Sequence, residues 1–296
     1  MHFADGVVFL KYFDCHCDTL VEMYRSNNGF YGNGCDCDRS LIADGDEAHV
    51  VYAVFNDGSF RREDMLKIMK YFNSRLSEIK NGRAYLSIEG LGNQPDFDIS
   101  DIAVYKKLGV RMMSLTWNND NPLCGGIENN SYGLTPLGRA VINEMKQSGI
   151  VADVSHSSDK GCYDIIETFG GGVCASHSNS RTVCKNTRNL TAEQFKMIAQ
   201  SGGVAGINFY NPFLSEKPAD TDDIVRHIEY FLNIGGEYSI GFGSDFDGMD
   251  LKPRGIENCG SFSLIYDILL AKKYSKSFIN SLFFDNFSEI FKKYEF

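Results

Sequence analysis

The chain has 296 residues, 43% of them hydrophobic and 23% charged, with 39 acidic against 29 basic side chains for a net charge of −10. This profile suits a globular chain with a sizeable core and excludes wholesale disorder, collagen and coiled coil. The acidic balance argues against nucleic acid as a partner, and no apolar run approaches the ~20 residues of a membrane-spanning helix.

Taken in chain order, the elements alternate. A first strand is expected over residues 7–16 (VVFLKYFDCH). Its apolar stretch is short and broken by Lys11, so it does not read as a secretory signal, and a cytoplasmic protein is expected. No convincing helix separates it from the second strand, HVVYAVFN, and residues 27–46 read as a Gly/Asn/Cys-rich loop. A helix over residues 61–82, the strand AYLSIEG, a helix near 100–108 and the strand VRMMSLTWN follow. The next helix, 135–148, has Pro136 in its first turn, where proline is favoured, and leads to IVADVSH, a helix over 159–168 and GVCASHSN. Thr191 gives a capping-type start to a helix over 191–202, which Gly202 and Gly203 end before GGVAGINFY. A helix over 221–235 and the strand YSIGFGSDFDG complete the series, and the remaining residues to 296 read as two or three terminal helices packed on the outside.

Strands separated by helices pair in parallel, and eight of them in a chain this long favour closure. The expected fold is a (β/α)8 TIM barrel with additional C-terminal helices. With no linker or low-complexity tract, residues 1–296 are expected to form a single domain.

Nine cysteines are an odd count for a disulfide scaffold, and free thiols are the plainer expectation. Cys15-x-Cys17 and Cys35-x-Cys37 could form a four-thiolate zinc site, but structural zinc pairs usually have two or more intervening residues. Ordinary half-buried thiols are favoured.

The six histidines are more informative. His2 reads as terminal, His49 as a strand-edge residue and His227 as part of a helix surface. His16, His156 and His177 instead fall where strands end, as do Asp18, Glu89 and Asp245. Each alone would more often be structural, or part of a turn. In a barrel, however, the carboxyl ends of all strands face one mouth. Several carboxylates and imidazoles gathered there would be costly to desolvate unless a divalent cation joined them. Such ligands suit zinc first, then manganese, iron or cobalt.

This ordered set resembles the membrane (renal) dipeptidase family of binuclear zinc peptidases: His16-x-Asp18, Glu89 in IEG, His156 in DVSH, His177 in SHSNSR, Arg188 and Asp245 in GSDFDG. The 21 residues from His156 to His177 and the further 11 to Arg188 match the family spacing, and the resemblance runs from about residue 12 to 250. It implies a metal-dependent (β/α)8 barrel that hydrolyses dipeptides. His16 and Asp18 would bind one zinc, His156 and His177 a second, and Glu89 with a water or hydroxide would bridge them. Asp245 would be the general acid/base, with Asp247 the next candidate, and Arg188 would hold the substrate's C-terminal carboxylate. The resemblance leaves room for a D-configured C-terminal residue and for a homodimer; charge and hydropathy, separately, argue against a nucleic-acid or membrane partner.

One departure concerns the end of strand four, where mammalian members carry a histidine and this chain has Trp117. Trp117 is expected to line the substrate pocket, with Asn118 or Asn119 supplying a dipole. The alternatives are another metal-dependent amidohydrolase, of deaminase or lactonase type, or a catalytically impaired binding protein on this scaffold. The amidohydrolases usually open with His-x-His and often bridge their metals through a modified lysine on strand four. This chain has His16-x-Asp18 and no lysine in VRMMSLTWN. Retention of the whole proposed ligand set speaks against the impaired protein, and Trp117 alone speaks for it.

Overall fold

The computed structural model of the chain describes residues 3–4 and 7–294, with side chains from residue 9 onward. The reading of His2 therefore lies outside the described residues, as do residues 295–296 of the expected last helix. After a short antiparallel pair, Phe3–Ala4 with Val7–Val8, eight parallel strands close into a barrel. They are β1 (Lys11–Cys17), β2 (Glu47–Phe55), β3 (Gly82–Glu89), β4 (Val110–Ser114), β5 (Val151–Asp153), β6 (Cys174–Ala175), β7 (Val204–Ile207) and β8 (Ile240–Phe242). Closure is between β8 and β1, where Phe242 pairs with Asp14. Most strands stop earlier than expected, because the polar residues after each one turn into loops whose groups bond to the neighbouring loop.

The helices that alternate with the strands are α1 (Thr19–Ser26), α2 (Arg62–Arg75), α3 (Asp101–Lys107), α4 (Pro136–Gln147), α5 (Asp159–Phe169), α6 (Ala192–Gln200), the short α7 (Asn211–Leu214) and α8 (Thr221–Asn233). Four of these, α4, α5, α6 and α8, start at a side-chain cap. Thr135 accepts from the Gly138 amide ahead of α4, and Thr191 with Gln194 forms a full capping box at α6. The sequence reading found no helix after the first strand. The structure has α1, whose Thr19, Leu20, Val21 and Met23 are buried and whose C-cap Asn27 is left-handed.

The end of the chain also differs from expectation. Helix α9 (Phe262–Ala271) packs outside β1, with the Phe262 ring 4.2 Å from that of Tyr12. Helix α10 (Lys276–Asn280) runs through a π-helical stretch, Ser281–Asp285, into α11 (Asn286–Lys293), and this last segment does not sit on the outside. Phe287, Ile290 and Phe291 join Phe13, Cys15, Val51, Met112, Val151, Cys174 and Val204 in a cluster inside the barrel. The Phe291 ring lies 5.0 Å from both Phe13, at a tilt, and Tyr85, edge-on. Each buried phenylalanine is worth about 1.5–3 kcal/mol, so this plug fills the end opposite the loops that follow the strands.

Two histidine readings are corrected. His49 is not at an edge, since a closed barrel has none; it is buried in β2, with Nε2 2.8 Å from Glu47 Oε1. His227 is not on a helix surface but fully buried in α8, accepting at Nδ1 from the Ser180 amide at 3.1 Å, with Nε2 3.1 Å from the Leu214 carbonyl oxygen. Cys15 lies inside the barrel 4.0 Å from Met112 Sδ, whereas Cys17 and Cys37 belong to the layer between strands and helices. Every cysteine is free.

Candidate metal centre

The strand ends and the loops after them bring six polar residues to one mouth. His16 lies within β1 and Glu89 ends β3, while His156, His177 and Asp245 lie two or three residues past β5, β6 and β8. Asp18 caps α1. His156 and Asp245 adopt left-handed backbone, at φ 69° and 66°. Such backbone is uncommon for residues other than glycine and persists at sites where the surroundings enforce it.

Glu89 is central. Its Oε1 is 2.8 Å from His156 Nε2 and 4.0 Å from His177 Nε2, while its Oε2 is 3.2 Å from His16 Nε2. His16 Nε2 also lies 3.6 Å from Asp18 Oδ2 and 3.9 Å from Asp245 Oδ1. His16, Asp18 and Glu89 thus form one group of candidate ligand atoms, Glu89, His156 and His177 a second, and His16, His177 and Asp245 a third.

Proton positions test whether a cation fits. His156 Nδ1 is 2.7 Å from Asn118 Oδ1, an acceptor, so Nδ1 carries the ring proton and Nε2 is bare. Yet His156 Nε2 lies 2.9 Å from His177 Nε2 and 2.8 Å from a carboxylate oxygen, both without a proton to offer if His177 is held alike. His16 Nε2 and Asp18 Oδ1 are buried with no hydrogen-bond partner. Bare nitrogens facing carboxylate oxygens are what divalent cations fit, and the mixed imidazole and carboxylate donors suit zinc.

Electrostatics agree. Burial would raise the Glu89 carboxyl, but the His156 and His16 imidazoles outweigh it and hold the group well below its ordinary value. Burial opposes charge on His16, yet Glu89 and Asp18 push it well above the usual imidazole value. Burial, with Arg188 beside it, lowers His156 to about 4, and burial with His16 and Arg188 lowers His177. Burial, helped by Asp18 and Glu89, pushes Asp245 up to about 7.

Arg188 is buried on the loop after β6, where Nη1 donates to Ser178 Oγ at 2.7 Å. Its Nε and Nη2 have no hydrogen-bond partner, and its guanidinium lies 5.7 Å from the Phe213 ring. Trp117 is half-buried, its ring 5.2 Å from Phe55 and 6.5 Å from His156. Asn118 is occupied by His156, while Asn119 is exposed. A cavity of about 420 Å³ opens over the cluster, lined by Asp18, Glu89, Trp117, Asn118, His156 and Asp245, and by Phe55, Tyr210, Phe213, Asp247 and Gly248.

Some contributors were not anticipated. Asn208, just past β7, donates to Asp245 Oδ2 at 2.9 Å and leaves Oδ1 facing His16. With Phe55 at the end of β2, it fills the two strand ends for which the sequence reading names no candidate, and its signal is the same position rule. Asp247 is held by other groups: its Oδ1 accepts from the Asp36 amide at 2.7 Å, and its Oδ2 from Thr19 Oγ1 at 2.5 Å and the Cys37 amide at 3.2 Å. It therefore pins the loop between β1 and β2 and is a poor substitute for Asp245.

The profile of the membrane dipeptidase family (peptidase family M19) matches residues 61–296. Over 221 residues, 71% of this chain, the sequence is 32% identical to an uncharacterised dipeptidase of Schizosaccharomyces pombe, of whose length the match spans about half, 52%. The fold matches that of the dipeptidase AC, a metallo peptidase of family M19, with a TM-score of 0.84 at 23% identity, covering 96% of this chain and 98% of that one. It also matches a metallo peptidase from Rhodobacter sphaeroides liganded with a phosphinate mimic of the dipeptide L-Ala-D-Ala, with a TM-score of 0.79 at 20% identity and coverage of 96% and 99%.

Proposed function

The chain belongs to the membrane dipeptidase family, and from that membership we propose that it is a metallo-dipeptidase, hydrolysing the peptide bond of dipeptides at a two-metal centre. The observation that carries this reading is the convergence of the His156 and His177 Nε2 atoms, 2.9 Å apart, on one oxygen of Glu89, whose second oxygen faces His16. In this reading His16 and Asp18 would hold one ion and His156 and His177 the other, with Glu89 available as a ligand to both. When bound, two zinc ions would lower the pKa of a shared water towards neutrality and polarise the scissile carbonyl.

The protein's own groups do the rest. Asp245 is the general acid/base, accepting the proton of the attacking water at Oδ1 and returning it to the leaving amine. Asn208 fixes its other oxygen and leaves Oδ1 facing the cluster. Arg188 holds the free C-terminal carboxylate of the substrate, a task suited to the unpartnered Nε and Nη2 nitrogens of a buried guanidinium. A longer peptide has no carboxylate at that distance, which restricts the substrate to dipeptides. Trp117 and Phe55 exclude water from one wall of the cavity. The L-Ala-D-Ala mimic held by the Rhodobacter sphaeroides enzyme supports acceptance of a D-configured C-terminal residue here.

The test is metal content together with turnover. Protein purified with ample zinc should hold close to two ions per chain and cleave a dipeptide panel, lose activity to a chelator and regain it with zinc. A metal-free protein after such purification, or turnover indifferent to chelation, defeats the proposal.

A further inference from the structure

Two carboxylates lie one layer below the candidate ligand atoms, each gripping a serine from the loop after another strand. Asp14 accepts from the Ser244 amide at 2.7 Å and from Ser244 Oγ at 2.6 Å. Asp153 accepts from the Ser176 amide at 2.9 Å and from Ser176 Oγ at 2.5 Å. Each serine directly precedes a site residue, Asp245 or His177, so each pair ties a loop that follows a strand to the barrel wall. All four groups are buried.

The pairs differ in one respect. Ser244 Oγ otherwise meets the His16 carbonyl oxygen at 3.3 Å and the Phe246 amide at 3.2 Å. Ser176 Oγ lies 2.7 Å from His177 Nδ1. A hydroxyl has one proton, and a carboxylate oxygen only accepts. Ser176 therefore donates to Asp153 and offers only lone pairs to the imidazole. His177 Nδ1 must then carry the ring proton, leaving Nε2 bare where it faces His156 and Glu89.

We propose that Asp153, acting through Ser176, is a positioning residue that holds His177 as the Nδ1–H tautomer and so frees Nε2 for a cation. Its purpose rests on the metallo-dipeptidase reading; its geometry does not. The arrangement resembles the carboxylate that commonly backs a metal-bound histidine, with a serine inserted between.

Hydrogen-bond polarity supplies the test. In Asp153→Asn the amide oxygen can still accept from the Ser155 and Ser176 amides, which Asp153 Oδ1 receives at 2.9 Å each. The amide nitrogen would replace Oδ2 and donate to Ser176, whose proton then goes to His177 Nδ1 at 2.7 Å in preference to the more distant Ser155 Oγ at 3.4 Å. The relay runs backwards and places the ring proton on Nε2. In metal-free protein labelled with 15N-histidine, the ring shifts of His177 should report Nδ1–H in the wild type and Nε2–H in Asp153→Asn. Zinc affinity, measured against a competing chelator, should fall about 10–100-fold. Asp14→Asn, whose serine touches no imidazole, should leave the His177 tautomer unchanged.

Should Asp153→Asn not fold, Ser176→Ala carries the test, with His177 moving towards Nε2–H once the acceptor is gone. Nδ1–H persisting in either relay variant, or the Nε2–H tautomer in the wild type, overturns the proposal. A wild type with Nδ1–H that binds no zinc supports the relay and defeats the metallo-dipeptidase reading instead, so the two fail separately.

Discussion

Replacing Arg188 with methionine should move activity and stability in opposite directions. The guanidinium is 7% exposed and makes one hydrogen bond, to Ser178, while Nε and Nη2 have none. Among the described residues no carboxylate lies within ion-pair distance of it, and burial lowers its pKa. A buried charge so poorly matched is a cost to the free protein, and an apolar side chain of similar length should relieve about 1–3 kcal/mol after loss of the Ser178 bond. For a chain of this length about 1 kcal/mol corresponds to roughly 2 °C, so Arg188→Met should melt about 2–6 °C higher. In the proposed complex the same charge would meet the substrate carboxylate. Removing it should cost ~2–5 kcal/mol, or roughly 30- to 5,000-fold in kcat/KM.

The assay is a cycle of two enzymes and two substrates: wild type and Arg188→Met against a dipeptide acid and its C-terminal amide. The acid should suffer the full loss in the mutant and the amide little, since the wild type already lacks the pair there. An acid-to-amide preference equal in both enzymes would remove the carboxylate clamp and the reason for calling the substrate a dipeptide. A lower melting temperature in the mutant would show that the guanidinium is satisfied in the free protein, contrary to its unpartnered nitrogens.

Three further outcomes are expected. In Asp245→Asn both metals should remain while kcat falls ~10²-fold or more, and metal analysis beside steady-state kinetics checks this; unchanged turnover would reassign the proton shuttle. Gly248→Ala would put a Cβ 2.1 Å from Asp18 Oδ2 and 2.7 Å from Asp245 Oδ1, so these carboxylate tips must shift. Zinc affinity and kcat should drop with little change in melting temperature, and unaltered zinc titration would count against Asp18 as a ligand. Burial lowers His227 to about 4, whereas the unfolded chain takes up its proton near 6.5. Its contribution is therefore complete above pH 6.5 and lost as pH falls towards 4, on the order of 3 kcal/mol, because only the neutral ring can accept from Ser180. Denaturant midpoints across that range should slope in the wild type and flatten in His227→Gln.

Much of this was legible in sequence because its signals are local. Strand and helix periods alternate, caps such as Thr135 and Thr191 mark helix starts, and a barrel sends the end of every strand to one mouth. Those rules suffice to gather His16, Asp18, Glu89, His156, His177 and Asp245, and the structure brings these residues together. They do not reach what depends on partners distant in the chain. Asp14 reads as one more polar residue in FDCHCD until folding brings Ser244 beside it, and Asp153 reads likewise until Ser176 arrives. His227 has the pattern of an exposed helix residue but is buried by α7 and the loop after β6, which no helical period specifies. The same holds for α11, whose amphipathic face suits the outside of the barrel as well as its floor. Sequence determined which groups come near the mouth, because strand direction alone fixes that. Tertiary structure decided their protonation and aim, because a hydrogen bond's direction is set only when both partners are in place.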